Sequence, residues 1–572
     1  MVGSPNQSVG VGGRSVAELP AQPTGHMSDE GVQGTVGRAT RDRVDGAPLP
    51  TVFVVLAGII TVGGLLVRLP SFHDSLFGDE ISTYFIVTGH SLPRVLRLVE
   101  SNQETSPPLY FMVAWATKGL LSSPAESIRL VSLITGTAAI PLTFLLGLWT
   151  VGRRAALVGA ACVALSPYMI FYSTEARPFM LMLFLTLLST LSLLRALDTR
   201  RLLWWVAYAA CSCGAFYTHY DAVFLLFVQF AWVFWSEPRA RKYLVIANVA
   251  AGLAFIPWIN GFREDLHAPS FIAALAPLKP HIILTILVTT WIGHPETQLH
   301  LMPGLFAAAL AGLGLAIGLV GLLMKARSTN RLRWRPRSRT TLIVLLAVAP
   351  PLLLLLYSWV RTPVFGGPFL ISSWPGLALT IGIVVTRPAR PLRLAAITLT
   401  IGAYAIGAFL MLGSSAQRPN VNAAVEYIDR TGASGDPIVS LSFFANPLSE
   451  LDVALTNSGQ SHHYPVIRLG SPALAEQLGP LSGPNPQPAF FGLSVTSPQE
   501  VADQAVDLAR HGTIFFVSYS TSLIPNSADK ESTEFLKALP SRFHVVKEFT
   551  YPGFSNGILE KLYVIGRTSS SH

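Results

Sequence analysis

Residues 51–70 read "TVFVVLAGIITVGGLLVRLP", an apolar run long enough to cross a bilayer. Its apolarity does not alternate, so the run predicts a helix rather than a barrel strand. In hydrocarbon only these two forms satisfy every backbone N–H and C=O. Further runs follow at 128–150, 155–172, 178–196, 203–218, 222–236, 242–259, 302–324, 340–360, 369–386 and 394–413. Only 13% of the 572 residues are charged and 51% are hydrophobic. Soluble domains carry about 25% charged residues, so the chain belongs in a membrane. Cys162, Cys211 and Cys213 all lie within apolar runs, as buried small hydrophobes rather than a disulfide framework or zinc site.

The loops set the expected orientation. Basic clusters stand at 152–154, 195–201, 236–242, 325–339 and 387–393. They fall on alternate loops, and lysine and arginine collect on the cytoplasmic side. This also accounts for the net charge of +9 better than nucleic-acid binding does. The apolar segment 106–123 would invert every later loop if it crossed. It is therefore expected to be an interfacial or re-entrant helix opened by Pro107 and Pro108, and 281–294 is read the same way. The expectation is about eleven spans with a cytoplasmic N-terminus. Residues 1–49 read as a disordered cytoplasmic tail, with no signal peptide before the first apolar core.

After residue 413 the pattern changes. "VEYIDRTGASGDPIVSLSFF" and "PQEVADQAVDLARHGTIFFVSYS" each run from helix periodicity to a strand, and "FHVVKEFTYP" and "KLYVIGR" add strands. The expected organisation is a polytopic helical domain over 50–413 and a small extracytoplasmic α/β domain over 414–572, without a Gly-rich phosphate loop.

With this topology the polar motifs share the outer face: Asp79–Glu80, "YSTEARP" at 172–178, "THYD" at 218–221 and Arg361. Each has an ordinary explanation alone. Asp79 could cap a helix, Glu175 and Arg177 could form an interfacial ion pair, and His219 could be a satisfied interface histidine. Together they suit chemistry, because ionisable groups beside apolar segments cost several kcal/mol unless paired or functional. A carboxylate in a partly desolvated cavity can take a proton from a hydroxyl, and arginine and histidine can hold a phosphate. A hydroxyl acceptor and a phosphate leaving group at a membrane suggest transfer of a sugar from polyprenyl phosphate.

"FGDEISTYF", "SPPLYF", "ESIRLVSLITG", "LSPYMIFYSTEARPFML" and "THYDAVFLL" resemble, in order and spacing, the GT-C glycosyltransferases of the protein O-mannosyltransferase and lipid A aminoarabinose transferase type. "VEYIDRTGASGDPIV" resembles the soluble domain that bacterial relatives append. The resemblance implies an inverting, polyprenyl-phosphate-sugar-dependent transferase of the bacterial plasma membrane, acting on an envelope glycan, glycolipid or protein. It places the base on Asp79 with Glu80 beside it, Glu175, Tyr172 and Tyr110 along the cavity, and Arg177, His219 and Tyr220 at the donor phosphate. Relatives carry Arg-Tyr where this chain has Pro368 and Phe369, and Arg361 is the expected substitute. The nearest resemblances are metal-independent, so no metal is assigned, although Asp79, Glu80, Glu175 and His219 could in principle ligate a divalent ion. The Gly-, Ala- and Val-rich composition suggests a high-GC bacterium, where mannose is favoured over arabinofuranose. A transporter of lipid-linked sugars or an inactive scaffold are the alternatives. No internal repeat of the transporter kind is evident.

Overall fold

The computed structural model describes residues 50–267, 278–329, 337–441, 448–458, 462–470, 497–521, 527–554 and 558–567. The expected tail over 1–49 lies outside them, as does part of the basic loop at 325–339. The helices in chain order begin with α1 (Thr51–Phe72), α2 (Asp79–Val87), α3 (Leu92–Leu98), α4 (Leu109–Thr117), α5 (Pro124–Thr150), α6 (Arg153–Leu165), α7 (Pro167–Ser173) and α8 (Phe179–Thr199). They continue with α9 (Leu202–Thr218), α10 (Ala222–Ser236), α11 (Arg241–Phe255), α12 (Ile259–His267), α13 (Pro280–Ile292), α14 (Leu305–Thr329), α15 (Arg339–Val360), α16 (Trp374–Thr386) and α17 (Arg390–Leu410).

Among the described residues eight helices are long and apolar enough to cross a membrane, or nine if the α6–α7 pair, bent by 60°, is one broken span. Each of the eleven expected runs falls on a helix. The difference in count comes from α9 and α10, with 17 and 15 residues. At about 1.5 Å per residue they are shorter than the roughly 30 Å hydrocarbon core. The doubtful segment at 106–123 contains only α4, nine residues against α3 and α5, which is too short to span. Large apolar side chains of α1, including Val55, Ile59, Val62 and Leu66, are exposed, as a lipid-facing helix requires.

The bend between α6 and α7 has an identifiable cause. Pro167 has no N–H to give the carbonyl of Val163, four residues back. Arg68 of α1, fully buried, supplies the missing donors: Nη2 reaches Val163 O at 3.1 Å and Nη1 reaches Ala164 O at 2.9 Å. The bend turns α7 so that Tyr172 to Arg177 arrive beside the start of α2.

Beyond α17 come α18 (Val421–Thr431), β1 (Ile438–Leu441), α19 (Glu450–Asn457), β2 (Val466–Arg468), α20 (Pro498–Leu508), β3 (Thr513–Thr521), α21 (Ser527–Ala538), β4 (Phe543–Gly553) and β5 (Ile558–Arg567). The sheet order is β2-β1-β3-β5-β4, with β1 parallel to both neighbours and β5 antiparallel to both of its own. Alternate residues of β3 face opposite layers. Phe515 and Val517 pack with α18 and α19, whereas Ile514 and Phe516 pack with α20 and α21. The expected α/β domain is therefore a sheet with helices on both faces. It is tied to the membrane helices by Phe554, whose ring lies in their apolar core 5.3 Å from Phe77, 5.9 Å from Phe171 and 5.5 Å from His294.

Close helix contacts rest on small residues. A Cβ on Gly376 of α16 would lie 2.8 Å from Ala347 N of α15, and one on Gly382 would collide with the carbonyl oxygen of Ala155 on α6. Backbone cannot move aside as a side-chain tip can. Gly382→Val is expected to lower the thermal midpoint of the purified protein, by about 1–3 kcal/mol of stability. A midpoint equal to the wild type's would refute this close approach.

Candidate active site

The loop between α1 and α2 ends at Gly78, with φ 58° and ψ −129°. This backbone conformation suits glycine and strains other residues. It sets the direction of the two carboxylates that follow. Asp79 and Glu80 open α2, and no side chain caps the helix. Asp79 is thus not the cap that the sequence alone allowed.

The two neighbours have opposite surroundings. Glu80 is fully buried between arginines. Arg129 of α5 donates to it from Nε at 2.7 Å and from Nη2 at 2.6 Å, and Nε of Arg418 lies 3.1 Å away. The Ala176 N–H donates to Glu80 Oε1 at 2.8 Å and the Phe77 N–H to Oε2 at 3.3 Å. Burial pushes the Glu80 pKa up, but the two arginines and these bonds hold it below the usual carboxylate range. Glu80 has no surface to offer a substrate. Its expected place beside the base as a catalytic group is corrected: it positions the loop, together with Arg129, which also donates to the carbonyls of Phe72, Asp74 and Ser75.

Asp79 keeps 52% of its side chain accessible beside Glu80, Glu104 and Arg177. Its carboxylate is 3.9 Å from Arg177 Nε. Desolvation raises its pKa, Arg177 pulls the other way, and Glu104 and Glu80 add to the rise. Glu296 is pushed up to about 7 by burial and Asp79, against the pull of Arg418. Burial and the Glu80 charge also push Glu175 well above its ordinary value, and its Oε2 is buried without a hydrogen bond. Arg177 is held by Glu104, from Nη2 at 3.1 Å to Oε1 and from Nη1 to Oε2, while its Nε makes no hydrogen bond.

His219 is buried, 5.5 Å from the Phe179 ring and 5.4 Å from that of Phe369. Burial, with Arg177 near, pushes its pKa down to about 3. Its Nδ1 accepts the Asp221 N–H at 3.3 Å, which assigns the proton of the neutral ring to Nε2. Tyr172 is 3% exposed beside Glu175 and Asp79. Two expected residues lie behind the site. Tyr110 has no exposed surface and donates to Ile128 O at 3.3 Å, so it offers no surface to a substrate. Tyr220 donates to Asp265 Oδ2 at 2.5 Å and accepts from Trp258 Nε1 at 3.2 Å. Arg361 is exposed at the end of α15 and takes no part in the charge network.

The structure adds residues that the sequence reading did not choose. Arg418 enters from the turn after α17, 4% exposed, its guanidinium 5.0 Å above the Phe171 ring. Its backbone N–H reaches Asp74 Oδ2 at 3.1 Å, and its Nη2 is buried with no hydrogen-bond partner. His294, on the same ring at 5.0 Å, accepts the Glu296 N–H on Nδ1 at 3.1 Å and leaves Nε2 buried and unpartnered. Arg129 had a signal, a charge inside an apolar run. Glu104, immediately before "TSPPLY", and Arg418 had none. Among the described residues no group of three or more His, Cys, Asp or Glu side chains is arranged to hold a metal ion.

These helices and charges define a multi-span membrane protein with a cluster of buried and half-buried charges beside its helices. Residues 105–260 match the model of the family described as dolichyl-phosphate-mannose-protein mannosyltransferase, which shows the glycosyltransferase resemblance read from the motifs. The structure is also similar to three solved ones. ArnT from Cupriavidus metallidurans bound to undecaprenyl phosphate shares 13% identity over 91% of this chain and 99% of that one, with TM-score 0.47. The Archaeoglobus fulgidus oligosaccharyltransferase tethered to an acceptor peptide shares 13% over 88% and 73%, with TM-score 0.43. The arabinofuranosyltransferase AftD from Mycobacteria shares 13% over 93% and 41%, with TM-score 0.44. No curated protein matches the sequence.

Glu80→Ala leaves Arg129 buried without a close carboxylate and Arg418 with only the longer 3.9 Å contact to Asp74, and is expected to cost about 3–5 kcal/mol of stability. The pH dependence has a fixed sign. The folded pKa of Glu80 is depressed, so its contribution is present above the unfolded carboxylate pKa and is lost as pH falls through the lower folded value. Denaturation midpoints of wild type and variant should converge towards acid pH. A constant gap would contradict the ionised clamp.

Proposed function

We propose that this chain transfers a sugar from a polyprenyl-phosphate carrier to a hydroxyl of an envelope glycan, glycolipid or protein, at the outer face of a bacterial plasma membrane. The observation that carries this reading is Asp79: an accessible carboxylate of raised pKa, 3.9 Å from an arginine that makes no hydrogen bond through Nε. The match to a mannosyltransferase family supports the reaction class and puts mannose first among sugars to test.

In this mechanism Asp79 takes the proton of the acceptor hydroxyl as its oxygen attacks the anomeric carbon. The bond from that carbon to the phosphate oxygen breaks, and the electron pair leaves with the lipid phosphate. A single displacement inverts the anomeric centre. The charge developing on the phosphate needs donors already in place. His294 Nε2 and Arg418 Nη2, both buried, unpartnered and on the Phe171 ring, supply them beside Arg177 and His219. We assign to Arg418 the part that the sequence reading gave to Arg361. The positions Pro368 and Phe369 are apolar, and the Phe369 ring lies against His219.

The test is transfer by the purified protein from a panel of radiolabelled polyprenyl-phosphate sugars. Asp79→Asn is expected to lose at least about a hundredfold in rate while keeping the wild-type fold. Normal transfer by that variant would overturn the assignment. The raised pKa of Asp79 also predicts that kcat/KM rises with pH through a value above the ordinary carboxylate range, because the base works deprotonated. A limb at the unperturbed carboxylate value would contradict the desolvated site. Arg418→Gln should lose about a hundredfold in kcat, as removal of an oxyanion donor does elsewhere, and Arg361→Gln should retain wild-type rates.

A further inference from the structure

Arg177 comes close to Asp79 without bonding to it. The backbone forces the approach. The Ala176 N–H donates to Glu80 Oε1 at 2.8 Å, and the Ala176 carbonyl accepts from the Thr83 hydroxyl at 2.8 Å. Residue 176 is thus strapped to α2 from both sides, and Arg177 starts beside the turn that carries Asp79. An arginine and a carboxylate so placed commonly pair through two N–H groups. Arg129 does this to Glu80 with its Nε and Nη2 edge. In Arg177 the Nε is buried without a hydrogen bond, 3.9 Å from Asp79 Oδ2.

Glu104 accounts for the difference. It follows the helical turn Val99–Gln103, precedes α4, and is 4% exposed. Both of its oxygens meet the far end of the Arg177 fork: Nη2 donates to Oε1 at 3.1 Å, and Nη1 donates to Oε2. The Thr105 N–H at 3.1 Å and the Ser106 hydroxyl at 3.3 Å also donate to Oε1, so the carboxylate is fixed by its own turn. A guanidinium is planar and rigid, and two bonds at one end set the direction of the rest.

The charges around the pair are few. Asp79 faces Arg177, Glu104 and Glu80, and its own charge acts on Glu175, Glu296 and Tyr172. Glu104 faces Arg177 and, from α12, Asp265. Burial is the main cause that raises the Asp79 pKa; Arg177 opposes it, and Glu104 adds to the rise.

We propose that Glu104 is a positioning residue for the transfer: by holding both ends of the Arg177 fork, it keeps this arginine from closing on Asp79. The base stays free to take the acceptor proton, and the Arg177 Nε stays free for a phosphate oxygen. The inference rests on the transferase reading. It gives two adjacent carboxylates, each with an arginine at hand, their different fates. Glu80 is paired, whereas a third carboxylate holds the arginine off Asp79.

The test is the pH profile of sugar transfer by the full-length protein. In Glu104→Gln the fork loses its anion and Arg177 pairs with Asp79, which lowers the pKa of the base. The acid limb of kcat/KM is expected to move to lower pH by about 1–3 units, the effect of an arginine paired with an aspartate. A merely structural role predicts a lower rate at every pH with the limb unmoved, and that result overturns the proposal. If Glu104→Gln does not fold, Arg177→Lys replaces it, because two fixed bonds cannot aim a single ammonium group. Its limb should move in the same direction, and an unmoved limb again overturns the proposal. If the wild type transfers no sugar, the transferase reading fails, and infrared titration decides the positioning role separately. The carboxyl band that disappears in Asp79→Asn should titrate at lower pH in Glu104→Gln than in the wild type. Identical titrations overturn it.

Discussion

The buried contact between Glu80 and the arginines Arg129 and Arg418 is the constraint on which the site depends. It joins three distant parts of the chain: the first turn of α2, the N-terminal turns of the long apolar helix α5, and the turn leading into the sheet domain. An ion pair taken out of water gains stability only when geometry and additional hydrogen bonds offset desolvation. Here the Ala176 and Phe77 N–H groups add those bonds on the glutamate, and three loop carbonyls add them on Arg129. The loop is therefore held in one shape. The carboxylate next door, on Asp79, makes no close bond and stays accessible.

That contrast between adjacent residues carries the chemistry proposed for the chain. Glu80 is kept ionised and inaccessible, whereas Asp79 is desolvated, accessible and raised in pKa. Pairs of carboxylates driven apart by their environments mark acid–base sites. Around them stand buried donors without a hydrogen-bond partner, on Arg177, His294 and Arg418. Buried unpaired donors are costly in a fold that has no use for them. Their convergence beside an open carboxylate suits a site that receives an anionic group and a hydroxyl together.

The sheet domain takes part in this arrangement. Gln417 accepts the Phe554 N–H at 3.0 Å, so the turn carrying Arg418 is fastened to the end of β4. Phe554 and Arg418 then both meet Phe171. The domain thus holds in place a cation of the proposed phosphate site.

Much of the architecture was legible from pattern. The apolar runs, the short helix after Pro107 and Pro108, and the helix–strand alternation after residue 413 each follow from local periodicity, which backbone hydrogen bonding converts into elements. The motifs around Asp79 and Arg177 were legible because charges beside apolar runs are rare and a family resemblance supported them. Three things were decided only by the tertiary structure. Glu80 became an anchor and Asp79 remained the accessible carboxylate, because Arg129 and Arg418 converge on the first and not on the second. Arg418 entered the site while Arg361 did not, because the sheet domain draws the turn after α17 inward. Tyr110 fell behind the site, because its hydroxyl is fixed on a helix carbonyl. Sequence determines which segments form helices and strands and which residues carry chemical potential; the partner of each buried charge depends on contacts between residues up to hundreds of positions apart, which no local pattern records.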